Sequence, residues 1–403
     1  MKKRLVYVLI LLAAAMPLTG CWNSREPKQL AIVMALGIDK APGNKYKVSF
    51  QVANSGQVAP GIVAGGSAYG APATVYTGTG SSIYEAIRQS SRKVPRQLFF
   101  AHIRLVVIGE SLAKAGMQEL FDFFDRSRET RLTAIVLVAR GREAEQVVRT
   151  LTPLEKIPAN AVMGKMEYST RLWSENLTVY IDDVIKMMVS EENVLLVSGV
   201  RLIGDLNQST VKRNVERTSP AASINISGMA VMQDGKLKKW LDGSLARGVI
   251  WARNKMDSSV MTIDAMGKPK AVSIEVLKGK TKVKSQLAGN KLSFRYMINA
   301  EGSVSELQVP LDLSKPEAID KLEKQWADAI REEVMTAFKQ AQSDKRDMLG
   351  LGQLFRREHP KQWRKLKMDW SSAFAESEVT VTVHTEIRHQ GLRNKSYLSN
   401  ISK

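Results

Sequence analysis

The chain has one cysteine and four histidines in 403 residues, and these two shortages set the first limits. A lone cysteine excludes an intramolecular disulfide and every multi-thiolate metal site, whatever the compartment. Histidine is the base most often used to activate a nucleophile, and only His102, His359, His384 and His389 are available. His384 and His389 are five apart and face opposite sides of an extended strand, so they cannot share a metal there. Phosphate-binding signatures are also missing. Gly279-Lys280-Thr281 has Ile274 where a P-loop needs its first glycine, and Gly78-Thr79-Gly80 has Ile83 in place of the third glycine of a dinucleotide fingerprint. The acidic pairs Asp182-Asp183 and Glu191-Glu192 are adjacent in sequence, so their side chains diverge. These absences point to a non-enzymatic protein with no metal and no cofactor. Two carboxylates distant in sequence could still meet in the fold, which keeps a wall-active hydrolase as a third class.

Positive charge is what the chain has in excess, with 59 Lys and Arg against 40 Asp and Glu, a net +19. Hydrophobic content of 44% is that of a globular chain, and the length suits two to three domains. Such a charge favours anionic partners, and the first residues decide which can be reached. Lys2, Lys3 and Arg4 precede an apolar run over 5–16. That run is shorter than the about 17–25 residues a membrane span needs but fits the core of a signal peptide. Leu18-Thr19-Gly20-Cys21 follows and resembles a bacterial lipobox, in which the cysteine receives a diacylglyceryl group and further acyl lipid such as palmitate. The sequence therefore predicts a signal peptide over 1–20 and a lipid on Cys21 as the only covalent group. An exported, tethered chain meets no nucleic acid. Its lysines and arginines are spread along the sequence, so most are expected to be ordinary solvated surface.

The pattern along the chain predicts an α+β protein of three mixed α/β domains. The N-terminal α/β domain spans 21–198 and opens with a hairpin over 31–38 and 46–52. A Gly-, Ala-, Pro- and Ser-dominated loop over 54–73 follows, then a helix begun by the capping box Ser82-x-x-Glu85. Strands at 104–108 and 133–139 alternate with helices at 117–124, 142–149, 159–173 and 181–190. A polar linker at 206–219 and a hairpin turned by Asp234-Gly235 make a small middle domain over 199–268. The C-terminal domain, 269–403, is read as an antiparallel sheet with a long helix. Its strands lie at 272–277, 281–287, 292–298 and 379–388, and Ile319, Leu322, Trp326, Ile330, Val334 and Phe338 form one stripe of the helix.

Five blocks resemble the Ger(x)C family, the lipoprotein C subunits of nutrient germinant receptors in bacterial spores. They are Cys21-Trp22-Asn23-Ser24-Arg25-Glu26 with Gly37-Ile38-Asp39; 91–104, containing Lys93-Val94-Pro95-Arg96 and Phe99-Phe100-Ala101-His102-Ile103-Arg104, with Val107-Ile108-Gly109-Glu110; Ser227-Gly228 with Trp240-Leu241; 273–278; and Asp347 with Gly350-Leu351-Gly352, His359-Pro360, Trp363 and Trp370. The resemblance implies a three-domain, non-enzymatic protein on the outer face of the inner spore membrane, acting with integral membrane A and B subunits. Within the second block, Arg96, Phe99, His102 and Arg104 are candidate partner contacts, since arginine beside aromatics is enriched where proteins meet. Trp363 and Trp370 are expected in a core, and Gly350 and Gly352 where the backbone needs positive φ or close approach. The runner-up is an extracytoplasmic solute-binding lipoprotein of a transporter, which needs two similar lobes.

The lipobox reading is tested at the mature N-terminus. Mass spectrometry of the wild-type protein is expected to find residue 21 first and acylated, and Cys21→Ala is expected to release the protein from membranes. An unmodified Cys21 would refute it.

Overall fold

The computed structural model describes Arg4 and residues 29–54, 70–190, 194–289 and 291–389. Cys21, nearly all of the expected signal peptide and most of the 54–73 loop lie outside the described residues. The chain opens with strands β1 (Leu30–Ala41) and β2 (Lys45–Ala53), joined through Gly43 and Asn44, both at positive φ. Strand β3 (Ala73–Gly80) leads into helix α1 (Ile83–Ser90), where the Ser82 hydroxyl accepts the Glu85 N–H as the capping box predicts. Next come β4 (Gln97–Phe99), β5 (Leu105–Gly109), α2 (Glu110–Ala115), α3 (Gln118–Arg126), β6 (Ile135–Ala139), α4 (Ala144–Arg149), α5 (Pro158–Leu172), α6 (Ile181–Met188) and β7 (Val194–Gly204). A single turn of helix, α7 (Arg213–Glu216), precedes the hairpin β8 (Ala222–Gln233) and β9 (Lys236–Leu241).

These strands form one nine-stranded sheet in the order β3-β2-β1-β5-β6-β7-β8-β9, with β4 beside β1. Its centre, β1-β5-β6-β7, is parallel. β5 and β6 are accordingly buried at every position, as strands covered on both faces must be. One face packs against α1, α2, α3 and α6, through residues such as Ile87, Leu112, Phe121 and Val184. The other packs against α4 and α5, through Val147, Val148 and Met166.

The expected middle domain is corrected by this sheet. β7 runs through the predicted boundary at 198, and β8 and β9 are the outermost strands of the large sheet. The physical reason lies in the hairpin itself. Ala230 and Met232 face one core while Met229 and Val231 face another, and two strands alone cannot bury both faces. The polar stretch at 206–219 is likewise no free linker. Asn214 is buried, donates to the carbonyls of Leu151 and Ala222, and accepts the Ala222 N–H at 2.9 Å.

The second core begins with α8 (Gly243–Ala252) and a four-stranded sheet of β10 (Ser259–Ala265), β11 (Lys268–Ala288), β12 (Lys291–Leu307) and β13 (Glu378–His389). Helices α9 (Pro316–Ser343), α10 (Leu351–Glu358), α11 (Pro360–Leu366) and α12 (Trp370–Ala375) stand between β12 and β13. The first three strands are antiparallel, but β13 pairs parallel to β12, which corrects the all-antiparallel expectation. A connection made of helices returns the chain to the same end of the sheet, and a parallel neighbour follows from that crossover. The two strands expected at 272–277 and 281–287 are one, because the chain passes between them through a bulge between Val276 and Lys278 without leaving the sheet. Gly279 is needed there for space: a Cβ would stand 2.5 Å from the Trp251 ring. Trp363 and Trp370 are buried, with ring centroids 5.2 Å apart. Gly350 adopts positive φ at the start of α10, whereas Gly352 lies within the helix.

Helix α8 joins the two bodies. Trp251 and Ile250 belong to the same core as Val194, Met229 and Val231 of the large sheet and Phe338 of α9. At the crossing of α8 and α9, a Cβ on Gly248 would meet the Glu333 carbonyl oxygen at 2.2 Å. Alanine would gain about 1 kcal/mol in helix propensity but cost up to about 3 kcal/mol in overpacking against backbone that cannot yield. Gly248→Ala should therefore lower stability in denaturant melts by about 2 kcal/mol. Gly164 of α5 has open space around its missing Cβ, so Gly164→Ala should raise stability by about 0.5–1 kcal/mol. Equal effects at both glycines would disprove the close crossing.

Candidate functional site

A groove of about 670 Å3 opens on the face of the large sheet that carries α1 and α3. Its floor is apolar, made of Ile83, Ile87, Leu98, Phe100, Leu120 and Phe123. The extended chain around β4 supplies one wall, because alternation sends Arg96, Leu98 and Phe100 to the same side. Four arginines rim it: Arg88, Arg96, Arg126 and Arg128. Two of them are occupied within their own helices, Arg88 on the Tyr84 hydroxyl at 3.0 Å and Arg126 on Asp122 at 2.8 Å. Arg96 and Arg128 are exposed and have no ion-pair partner among the described residues. At the far end the Tyr46 hydroxyl donates to Glu119 at 3.1 Å, tying β2 to α3. Burial and that carboxylate both push the Tyr46 hydroxyl up from its ordinary value, so it remains a donor.

The four candidate contacts do not converge. Arg96 faces the groove, while Phe99 is half-buried and meets the His102 ring at 5.6 Å. Arg104 is exposed and reaches across to the Asn160 side chain of α5 at 3.4 Å, toward the opposite face of the sheet. The block from 91 to 104 turns twice around the short β4, so neighbours in sequence part in space. The second wall of the groove, with Tyr84, Phe123, Arg126 and Arg128, was not legible from the block. Its only sequence trace is the stripe Leu120, Phe121 and Phe124, which says that α3 packs but not on what.

Other motif residues serve the fold. Asp39 is 1% exposed, and its carboxylate accepts the N–H groups of Ala144 at 2.7 Å and Glu145 at 2.9 Å, capping α4 from another strand. Burial pushes its carboxyl up, and those two donors with nearby Lys47 pull it back. Gly109 makes room for it: a Cβ there would stand 2.0 Å from the Asp39 oxygen. Asp347 does the same for α10, accepting from the Leu351 N–H at 3.0 Å, the Gly352 N–H and the Trp370 indole at 3.3 Å. The His359 ring lies tilted against Phe355, centroids 4.9 Å apart, and its Nε2 is 3.1 Å from the Ser285 carbonyl oxygen. Arg140 lies over the Trp240 ring at 4.7 Å and grips Asp242 with two hydrogen bonds. Among the described residues, no three His, Cys, Asp or Glu side chains converge as metal ligands.

Comparison with known proteins decides the family. Residues 23–201 match the spore germination protein N-terminal domain, and residues 227–391 match the spore germination B3/GerAC-like C-terminal domain. The chain belongs to the Ger(x)C family of spore germination proteins. It is 34% identical to spore germination protein KC of Bacillus subtilis, over 98% of this chain and 97% of that one. It is 23% identical to spore germination protein B3 of the same organism, over 94% and 96% of the two chains. The crystal structure of the GerBC protein shares its fold with a TM-score of 0.53 at 20% identity, covering 88% of this chain and 96% of that one. Gly37-Ile38-Asp39 and Val107-Ile108-Gly109-Glu110, two of the blocks that resemble the Ger(x)C family, are thus halves of one helix-capping device. Asp39→Ala would leave two N–H groups at the start of α4 without their acceptor, at a cost of about 1–3 kcal/mol. Equilibrium unfolding should read that loss, and an unchanged midpoint would rule out the cap.

Proposed function

We propose that this chain is the lipid-anchored C subunit of a nutrient germinant receptor, working by binding and assembly and not by catalysis. In this reading Cys21 carries the lipid, and the protein lies on the outer face of the inner spore membrane beside the integral membrane A and B subunits. Membership of the spore germination family supports the process. No described helix is long and apolar enough to cross a membrane, so attachment through an acylated Cys21 is the route this reading requires.

The observation that carries the binding role is the groove beside Arg96. Its volume and apolar floor suit a docked side chain or short segment, and exposed, unpaired arginine is the residue type that gains most from a partner carboxylate. We assign this groove to a contact with another receptor subunit. The transporter alternative needs two similar lobes, and a nine-stranded mixed sheet beside a four-stranded one does not supply them.

The test sets Arg96 against Arg104. Both are exposed, so Arg96→Glu and Arg104→Glu should each shift unfolding of the purified protein by no more than about 0.5 kcal/mol. Loss of a desolvated interface arginine costs about 2 kcal/mol or more of binding. Spores carrying Arg96→Glu should therefore germinate poorly in nutrient, while Arg104→Glu spores should respond normally. Normal germination of Arg96→Glu spores would remove the groove from the assembly.

A further inference from the structure

The outer face of the four-stranded sheet gathers lysines that neither the core nor the groove uses. Beyond the bulge in β11, Thr281, Val283 and Ser285 face the core, with Thr281 donating to the Trp251 carbonyl of α8 and Ser285 to Glu358 of α10, and Lys280, Lys282 and Lys284 are exposed on the other side. The register sets Lys284 opposite Arg295, Lys282 opposite Met297 and Lys280 opposite Asn299. Lys291 lies on the same exposed side of β12. Residues two apart on a strand are about 7 Å from each other and neighbouring strands about 5 Å, so the sheet spaces these cations as a regular lattice. The sequence suggests scattered charge; the pairing of β11 with β12 concentrates it.

None of Lys280, Lys282, Lys284, Lys291 or Arg295 has an ion-pair partner among the described residues. Two of the acids on this face are already engaged: Glu301 pairs with Lys278 at 3.6 Å and Arg388 at 3.3 Å, and Glu386 pairs with Arg388 at 3.2 Å. A third, Glu378, is exposed opposite Ser293 on β13, the far side of β12 from the β11 lysines. Like charges directly opposite across strands weaken a sheet. The Lys284–Arg295 pair therefore works against the fold and calls for an anion outside it.

We propose that this face rests on an anionic phospholipid surface. Protein interfaces are enriched in aromatics and arginine and depleted in lysine, whereas this face is led by lysine, with the half-exposed Met297 as its apolar element. Lysine is a compact, hydrated point charge on a flexible stem, suited to many diffuse headgroup contacts and not to one forked partner. The face lies on a different sheet from the Arg96 groove, and the proposal stands whether or not that groove holds a receptor subunit.

The experiment is sedimentation of the full-length chain carrying Cys21→Ser with vesicles of phosphatidylcholine alone or mixed with phosphatidylglycerol. Every variant keeps Lys2, Lys3, Arg4 and the apolar residues 5–16, so comparing variants on the same anionic vesicles cancels that segment's contribution. Each lysine near an anionic surface contributes about 1 kcal/mol, so Lys280→Gln, Lys282→Gln and Lys284→Gln together should weaken binding to the anionic vesicles about 100-fold at low salt. The same loss of charge on α9, by Lys321→Gln, Lys324→Gln and Lys339→Gln, should change it only a few-fold. Arg295→Gln, which relieves repulsion within the sheet, should weaken binding about fivefold without lowering the melting temperature. Equal binding to both vesicles, or equal loss in the two triple variants, would overturn the proposal. Unchanged binding by the β11 triple variant would also overturn it and leave the lysines to an acidic protein partner.

Discussion

The crossing of α8 over α9 is the contact on which the arrangement of the two sheets depends. Gly248 lets the helix backbones meet, and beside it the Arg247 guanidinium grips the Glu333 carboxylate. Both side chains are nearly buried, and Glu175, from the loop after α5, approaches Arg247 at 3.8 Å. Such a pair is costly to desolvate and costly to break, so its value is in fixing one geometry more than in net stability. Smaller ties follow the same seam. Lys239 of β9 pairs with Asp344 after α9, Arg346 donates to Gln233 of β8, and Ser174 donates to the Ser258 carbonyl. Each bond crosses from the large sheet's side to the second core. The family's two matched regions therefore meet in one molecule through a continuous core.

Elements were legible in the sequence where one physical signal sufficed. The capping box at Ser82, the Asp234-Gly235 turn and the stripe of α9 all act within a few residues, and the structure holds each of them. Fold class followed from those elements. What did not follow was anything set by pairing across distance. Whether β8 and β9 stand alone or extend a sheet depends on β7, which the apolar pattern reads the same way in either case. The parallel pairing of β13 depends on a crossover of helices whose direction no local pattern records. The bulge at Val276/Lys278 breaks the alternation of β11, so one strand reads as two, and the need for Gly279 shows only once Trp251 is placed against it.

The candidate site shows the same division. Arg96, Phe99, His102 and Arg104 stood out because arginine beside aromatics is enriched where proteins meet. Their separation in space could not be read, since it arises from two turns around a three-residue strand. Part of the groove comes from α3, whose sequence shows only that one face is buried. Asp39 and Asp347 were visible only as parts of family blocks. Their capping role appears once a helix start is seen against each carboxylate.

Burial separates the motif residues into two kinds. Asp39, Asp347 and Asn214 are buried polar groups, and each has the hydrogen bonds that its burial demands. Other buried groups go without: the Trp251 and Trp326 indoles and the Tyr296 hydroxyl have no hydrogen-bond partner among the described residues. Two departures from local rules lie at the surface. Arg96 and Arg128 stand over an apolar groove with no ion-pair partner among the described residues, and Lys284 faces Arg295 across a strand pair. Neither departure helps the fold, and both would be eased by single substitutions that leave the core untouched. Neither core uses these cations, so packing gives no account of where they stand. Water holds such groups as ordinary solvated surface, and an anionic partner is what the two proposals put to the test: a subunit carboxylate at the groove and lipid headgroups at the sheet.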